Sequence, residues 1–209
     1  MANSMIHWNG NQLAAIDIET TGLIPGWHEI IQLCILPLDS NICPRKDVIP
    51  FQILMKPESP ERADKAAMKV NRLDLYKVTQ TGFDPECAKD LFEKWFAKLK
   101  LPTNQYAKSK RIIILGKNLN FDLAFIKLWL GADYFDDYFD GSVIDIASIV
   151  RYINDRDAFH NNQISFPKLT LGSIATRLNL RVERPHDALQ DCLTTASVYQ
   201  RLCRQGLLG

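Results

Sequence analysis

The stretch AAIDIETTG, residues 14–22, ends an apolar run with two carboxylates, Asp17 and Glu19, separated only by Ile18. Side chains two residues apart on a β-strand point to the same face, so both carboxylates should project together. The apolar residues before them predict burial on both faces, and the Thr-Thr-Gly after them predicts an abrupt turn. The stretch therefore predicts a core strand that ends in two acids. A half-exposed edge strand with its acids in water is the alternative.

Around this strand the hydrophobic pattern alternates between strand and helix periods. Apolar, partly β-branched stretches predict strands at about 11–18, 29–36, 47–55 and 111–115, with a short fifth at 142–145. Three consecutive strands followed by alternating helices and strands predict an α/β fold, in which helices flank a mixed sheet. The remaining long connections are predicted as loops, at 101–110, 131–141 and 154–168.

Helices are predicted from start signals and apolar stripes. Ser59 and Pro60 have the pattern of an N-cap and a first-turn proline, and Asp84 and Pro85 repeat it. The residues that share a helical face within each segment are Ala63, Ala66, Ala67 and Val70; Ala88, Leu91, Phe92, Trp95 and Leu99; Leu119, Leu123, Ile126 and Leu130; Leu171, Ile174, Ala175 and Leu178; and Ala188, Cys192, Ala196, Tyr199 and Cys203.

Composition limits the class of protein. With 209 residues, 46% of them hydrophobic, the chain can bury the core of a single domain over 1–209. No segment approaches the roughly 18 consecutive apolar residues of a membrane span, and the start lacks the pattern of a secretory signal. Five cysteines without CxxC spacing argue against a disulfide framework or a zinc site and favour the cytoplasm. A net charge of +1 gives no sign of nucleic-acid binding, which must be argued from a local site.

Two further stretches place polar residues at predicted helix starts. GKNLNFD contains Asn118 and Asp122, and PHDALQD contains His186 before a helix and Asp191 inside it. Taken singly, each has a structural explanation. Asn118 could cap its helix, Asp122 is favoured by the helix dipole, and Asp187 is a plausible cap of the last helix. A lone histidine before a helix is more often a surface residue than a catalyst.

The stretches DIETTG, NxxFD and HDALQD occur in this order, at 17–22, 118–122 and 186–191. Together they resemble the three exonuclease motifs of the DEDDh (DnaQ-like) 3′→5′ exonuclease family. This family includes the proofreading epsilon subunit of bacterial DNA polymerase III, oligoribonuclease and ribonuclease T. The histidine lies five residues before Asp191, which fits the histidine branch rather than the tyrosine branch. One departure is Lys117, where many members carry histidine.

The resemblance implies a ribonuclease H-like fold, with a central mixed five-stranded sheet, and a site at which Asp17, Glu19, Asp122 and Asp191 meet. Two carboxylates about 5 Å apart repel by roughly 3 kcal/mol at an effective dielectric constant of about 20, so such a cluster requires cations or protons. Hard divalent ions, Mg²⁺ or Mn²⁺, suit carboxylate ligands, and the family binds two per site. By resemblance Asp17 bridges both ions, Glu19 and Asp191 complete the first, and Asp122 helps to hold the second. His186 is the implied general base for the attacking water.

The resemblance also implies a substrate and a product. A single strand of DNA or RNA would present its 3′ end and release nucleoside 5′-monophosphates. Thr20, Thr21, Leu23, Asn118 and Phe121 match positions near the terminal nucleotide in relatives, with backbone amides of the first turn meeting the 3′-hydroxyl. Ordinary packing is the alternative for Leu23, and it is the favoured explanation for Phe121.

Candidates for strand binding farther out are basic and aromatic residues, with plain solvent exposure as the alternative: Lys108, Lys110, Arg111 and Lys117, and the pair Trp27 and His28. The acidic and aromatic stretch DYFDDYFD, 133–140, is unsuited to phosphate contact. It has no predicted function beyond a possible protein contact surface.

A second hypothesis is a non-cleaving DEDDh module that binds nucleic acid or a protein. The complete set of acids and the histidine argue against it. The short segment after the last predicted helix favours a stand-alone nuclease over a polymerase subunit, and a homodimer stays open. DNA and RNA substrates, and roles in replication, repair or RNA processing, are not distinguished.

Overall fold

The computed structural model describes residues 10–101, 111–183 and 186–205. Within these ranges five strands form: β1 (Gln12–Thr20), β2 (Ile30–Pro37), β3 (Phe51–Leu54), β4 (Ile112–Gly116) and β5 (Ile144–Asp145). The helices of the same ranges are α1 (Lys65–Asn71), α2 (Leu75–Thr81), α3 (Pro85–Lys98), α4 (Leu119–Leu130), α5 (Ala132–Tyr138), α6 (Ile146–Phe159), α7 (Leu171–Arg177) and α8 (Ala188–Arg204). None of these helices combines the length and hydrophobicity needed to cross a bilayer.

The strands form one mixed sheet in the order β3-β2-β1-β4-β5. β1 lies at its centre, antiparallel to β2 and parallel to β4, with Ala14 opposite both Pro37 and Ile114. A central strand is covered on both faces, which explains the unbroken apolar run before Asp17. The prediction of a mixed five-stranded sheet flanked by helices is therefore confirmed, and the edge-strand alternative for this stretch is wrong.

Two hydrophobic clusters lie on opposite faces of the sheet. Ala14, Ile16 and Ile18 of β1 belong to the cluster that includes side chains of α3, α4 and α5. Leu13 and Ala15 belong to the cluster that includes α6, α7 and α8. Because side chains alternate along a strand, the acids at 17 and 19 share the second face with Leu13 and Ala15. The acids of the first motif thus emerge on the side that α8 covers.

The predicted helix after Ser59 is wrong in its start and its orientation. Ser59 and Pro60 open only a 3-10 turn, and α1 begins after Asp64, whose carboxylate accepts a hydrogen bond from the Ala66 N–H at 2.6 Å. Val70 is 52% exposed, so this face is not part of the core. A stripe of alanines has too little apolar area to determine which side of a short helix is buried.

The predicted loops at 131–141 and 154–168 are also partly wrong, because α5 occupies most of the first and α6 extends to Phe159. In the acidic and aromatic stretch, Phe135 and Phe139 are buried, and the Phe139 ring stacks on Phe92 with centroids 5.9 Å apart. These aromatic residues complete the core while the neighbouring acids face water. Most of the predicted loop 101–110 lies outside the described residues.

Candidate active site

The end of β1 positions the first two acids. Asp17 lies opposite Cys34 of β2 and Glu19 opposite Gln32, and the pairing shifts register between Glu19 and Thr20. Both carboxylates are half-buried. The chain turns at once, because the Thr21 N–H donates to the Glu29 carbonyl at 2.8 Å. The acids thus lie at the end of a strand that is hydrogen-bonded to its neighbour, just before a turn.

The first turn of α8 supplies the third acid, Asp191, and the histidine lies two residues before this helix. Asp187 caps this helix, as predicted, by accepting a hydrogen bond from the Gln190 N–H at 3.2 Å. The His186 N–H donates to Oδ2 of Asp191, also at 3.2 Å. One potential ligand atom from each of Glu19, His186 and Asp191 lies within 4.8 Å of the other two. Residues from opposite ends of the sequence therefore meet at one point.

Asp122 enters from α4 and is the most buried of the four acids, with 6% of its surface exposed. The preceding Asn118 adopts a left-handed conformation (φ 64°, ψ 45°), which asparagine tolerates better than most residues. Its side chain makes no capping hydrogen bond to the described residues. Instead, the Asn118 N–H donates to Oδ1 of Asp145 at 2.8 Å. The N-cap explanation for the Asn118 side chain is therefore wrong.

The electrostatics show that the four carboxylates share one environment. Loss of hydration raises the pKa of Asp17 well above its ordinary value, and the charges of Asp122, Asp191 and Glu19 raise it further. Burial raises the pKa of Glu19 to about 7, with Asp191 and Asp122 as the next causes. Burial likewise raises the pKa of Asp122 to about 7 and that of Asp191 above its ordinary range. The structure thus brings together the four acids that the motifs predict.

Such a cluster fits divalent cations. Four acids whose ionised forms are disfavoured by burial and by one another gain stability when positive charge lies among them. Carboxylate oxygens are the ligands that Mg²⁺ and Mn²⁺ prefer, and the one imidazole nearby does not change that preference. The donor set therefore fits hard divalent ions better than it fits the thiolate-rich sets of structural zinc.

The predicted substrate-binding residues of the first turn have structural contacts. The Thr20 hydroxyl donates to the Gly22 carbonyl at 2.6 Å, and the Thr21 hydroxyl accepts the Glu29 N–H at 2.9 Å. Because the Thr21 N–H already bonds to Glu29, it is not a free donor for a 3′-hydroxyl. Leu23 is 73% exposed, which argues against the packing alternative for this residue. These residues shape the rim beside the acids.

The remaining predicted residues are more dispersed. Asn118 is exposed, whereas Phe121 is half-buried and its ring centroid lies 5.0 Å from that of Phe125, in agreement with its predicted place at the core. Lys117 is half-buried, and its charge lowers the pKa of Asp122. Lys108 and Lys110 lie outside the described residues.

Sequence reasoning missed two residues that hold the site together. Asp145 accepts hydrogen bonds from the N–H groups of Asn118 and Ala147, both at 2.8 Å, so it joins the starts of α4 and α6. Gln32 accepts the Ala188 N–H at 3.1 Å and so fixes the start of α8 to β2. An acid directly before an apolar helix was a detectable signal for Asp145. Gln32, a polar residue within a buried strand, was the corresponding signal in β2.

Solved exonuclease structures share this fold. Exonuclease I of E. coli in complex with a dT13 oligonucleotide matches with a TM-score of 0.71 and 18% identity, over 93% of this chain and 42% of that one. Exonuclease I from Methylocaldum szegediense matches with a TM-score of 0.72 and 17% identity, over 93% and 41%. Cell-death related nuclease 4 (CRN-4) matches with a TM-score of 0.67 and 21% identity, over 93% and 64%. The chain thus spans about two fifths of the exonuclease I chains, and its fold is their ribonuclease H-like fold.

The sequence itself matches one family. No curated protein matches the chain at a significant level. The exonuclease family model RNase_T matches residues 14–199, a range that contains all three motifs and every acid of the cluster. The chain therefore belongs to the RNase_T exonuclease family, the DEDDh (DnaQ-like) group that its motifs resemble.

Proposed function

We propose that this nuclease is a metal-dependent 3′→5′ exonuclease that hydrolyses single-stranded DNA or RNA and releases nucleoside 5′-monophosphates. One observation carries the proposal: four carboxylates from β1, α4 and α8 interact at one point, with a histidine beside them. A structural role would not require four mutually repelling acids. A nuclease does, because cations held by them can approach a phosphodiester.

Two divalent ions, Mg²⁺ or Mn²⁺, are the proposed cofactors. Asp17, Glu19 and Asp191 would hold one ion, and Asp17 with Asp122 would hold the other. When bound, such ions supply positive charge that stabilises the charge developing on the phosphate and on the departing 3′ oxygen. The protein contributes acids that are preorganised by a paired strand and two helix starts, so little reorganisation accompanies the reaction.

His186 is the proposed general base. Its side chain is exposed and lies beside Glu19 and Asp191. Its backbone N–H donates to the Asp191 carboxylate, which fixes the position of the residue. An imidazole in this position can take the proton from a water that attacks the terminal phosphodiester. His186 adopts the left-handed backbone conformation (φ 66°) just before α8. Because its side chain is exposed, the imidazole can pass the proton on to solvent.

The rim beside the acids is the proposed binding site for the terminal nucleotide. Leu23 presents an exposed apolar side chain that can contact the last bases, and the exposed Asn118 lies at the start of the helix that carries Asp122. Thr20 and Thr21 act by fixing the turn, and Phe121, packed at the core, donates its backbone N–H to the Asn118 carbonyl at 3.1 Å. The E. coli exonuclease I structure with a dT13 oligonucleotide supports a single strand as substrate. We further propose that residues 1–209 act as one exonuclease domain in the cytoplasm.

A labelled oligonucleotide tests the direction and the chemistry together. With Mg²⁺, a 5′-labelled strand should shorten one nucleotide at a time, whereas immediate release of a labelled mononucleotide would reveal the opposite polarity. Asp17→Asn should abolish shortening, and chelation with EDTA should do the same. Binding without shortening by the unmodified protein would favour the non-cleaving module instead.

A further inference from the structure

We propose that the exposed side of α1, together with Trp27, binds the phosphate backbone and bases of the single strand upstream of the nucleotide being removed. We call Lys65, Lys69 and Arg72 the cationic face. This inference rests on the proposed exonuclease function and adds a second binding surface to the site. It concerns residues that neither the motifs nor the cluster of acids includes.

The backbone of β1 holds α1 next to the acids. The Asp64 N–H donates to the Thr21 carbonyl at 2.7 Å, one residue before the helix begins. At the other end of the helix, Nδ2 of Asn71 donates to the Thr20 carbonyl at 3.1 Å. Asn71 is only 4% exposed, so this contact is shielded from water. Both ends of α1 are therefore tied to the residues that directly follow Glu19.

The cationic face follows from helical spacing. Lys65, Lys69 and Arg72 lie four and then three positions apart, so they share one side of α1 and its end. All three are exposed, and none forms an ion pair with the described residues. The nearby acids Asp64 and Asp74 use their carboxylates to cap α1 and α2. The cations of this face are therefore exposed to water and make no direct ion pair within the part of the chain that the structure describes.

Arg72 is an unusual residue for its position at the C-terminal end of α1. It occupies the C-terminal cap of α1 in the left-handed conformation (φ 59°, ψ 14°), which favours glycine. The left-handed backbone disfavours any residue with a side chain, although a cation near a helix C-terminus is itself favoured by the helix dipole. Strained residues of this kind are concentrated at functional sites, where the side chain is needed. The conformation at Arg72 therefore supports a role for its guanidinium outside the fold.

Trp27 adds an aromatic surface beside Arg62, three residues before α1. The ring is 52% exposed, and the Arg62 guanidinium lies over it, 4.3 Å from the centroid. The Glu29 carboxylate accepts the N–H groups of Glu58 and Ser59 at 2.6 and 2.8 Å, which joins the loop that carries Trp27 to the segment that carries Arg62. An aromatic ring beside cations is the combination that binds single strands without sequence preference, through stacking and phosphate contact.

The charge distribution explains why a nuclease would need this surface. The whole chain carries a net charge of only +1, and the candidate active site is a cluster of acids that repels phosphates when no cation is bound. Attraction of a polyanion must therefore come from a local positive region. Between residues 61 and 72 the sequence has four cations and two acids, on a segment hydrogen-bonded to the first motif.

The test compares a variant of the cationic face with a matched control. The variant carries Lys65→Gln, Lys69→Gln and Arg72→Gln. The control carries Lys94→Gln, Lys98→Gln and Lys100→Gln, three exposed cations in the second half of α3 and just after it. This region lies near the opposite end of β1 from the acids, because Arg45 donates hydrogen bonds both to the Lys100 carbonyl and to the side chain of Gln12. Anisotropy of a labelled oligothymidylate of about twelve nucleotides in EDTA measures binding without cleavage.

We expect the variant to raise the Kd about tenfold and to reduce the slope of log Kd against log salt by about 2, while the control changes neither. With Mg²⁺, the ratio of kcat/KM for this strand to kcat/KM for a dinucleotide should fall by a similar factor. An unchanged Kd and salt slope, or an equal loss on both substrates, overturns the inference. If the unmodified protein binds the strand but cleaves neither substrate, the exonuclease proposal fails. The Kd and the salt slope of the variant then still decide whether the cationic face binds the strand. If the triple variant has a lowered melting temperature, Lys65→Gln alone, at the exposed start of α1, replaces it in the binding measurement.

Discussion

The burial of Asp122 makes a quantitative prediction about the metal-free protein. Because folding raises the pKa of this carboxyl from 3.8 to about 7, the folded state binds its proton more tightly than the unfolded state does. The protonated Asp122 therefore contributes its full stabilisation of the folded state below about pH 4, and this contribution is lost as the pH rises through 7. At about 1.4 kcal/mol per pKa unit, ionising Asp122 costs about 4 kcal/mol at pH 8, and roughly 3 kcal/mol of that cost appears between pH 5 and pH 8.

Asp122→Asn removes the ionisable group and keeps the shape. In EDTA, urea unfolding should show that the unmodified protein loses roughly 3 kcal/mol more stability between pH 5 and pH 8 than this variant does. Asp90→Asn, an exposed acid on α3, is the control and should keep the slope of the unmodified protein. At pH 8, millimolar Mg²⁺ should raise the melting temperature of the unmodified protein more than that of the variant. Equal pH slopes for Asp122→Asn and the unmodified protein would refute the assigned electrostatic cost.

Three further substitutions separate the roles of individual residues. His186→Ala should lower kcat by at least about 100-fold in a single-turnover assay with little change in strand affinity; a residual rate within tenfold would remove this residue as the base. Asp145→Ala should lower the free energy of unfolding by about 1–2 kcal/mol, because the N–H groups of Asn118 and Ala147 lose their acceptor, whereas Asp145→Asn should recover most of it in the same urea titration. Arg72→Gly should raise the free energy of unfolding by about 1 kcal/mol, since glycine adopts the left-handed conformation without strain; a decrease would contradict that assignment.

The predictable parts of the site are those that follow from local periodicity. Alternation along a strand places Asp17 and Glu19 on one face, and a helix start places Asp191 one turn inside α8, so spacing and resemblance were sufficient for these residues. Asp145 and Gln32 were not predictable in the same way, because each acts on a backbone N–H that is distant in the sequence. Such contacts depend on which strands are neighbours, and periodicity does not carry that information.

The errors in the helices have a similar cause. The spacing of Ala63, Ala66, Ala67 and Val70 predicts an apolar helical face, although alanine is compatible with either a buried or an exposed environment. The stretch DYFDDYFD lies in the predicted loop 131–141, yet burial of Phe135 and Phe139 determines its conformation. In both cases the total apolar area that a segment can bury was more informative than the type of its polar residues.

The anchoring of α8 separates the position of Asp191 from the chemistry of the His186 side chain. Gln32 fixes the first N–H of the helix, and Asp187 caps it, so Asp191 is held by contacts that do not involve the imidazole of His186. Replacement of the His186 side chain can therefore change turnover while Asp191 keeps its position, because the start of α8 is held by Gln32, by Asp187 and by the backbone N–H of residue 186. Through this one position, selection or design could slow or silence the proposed cleavage without displacing the acid of α8.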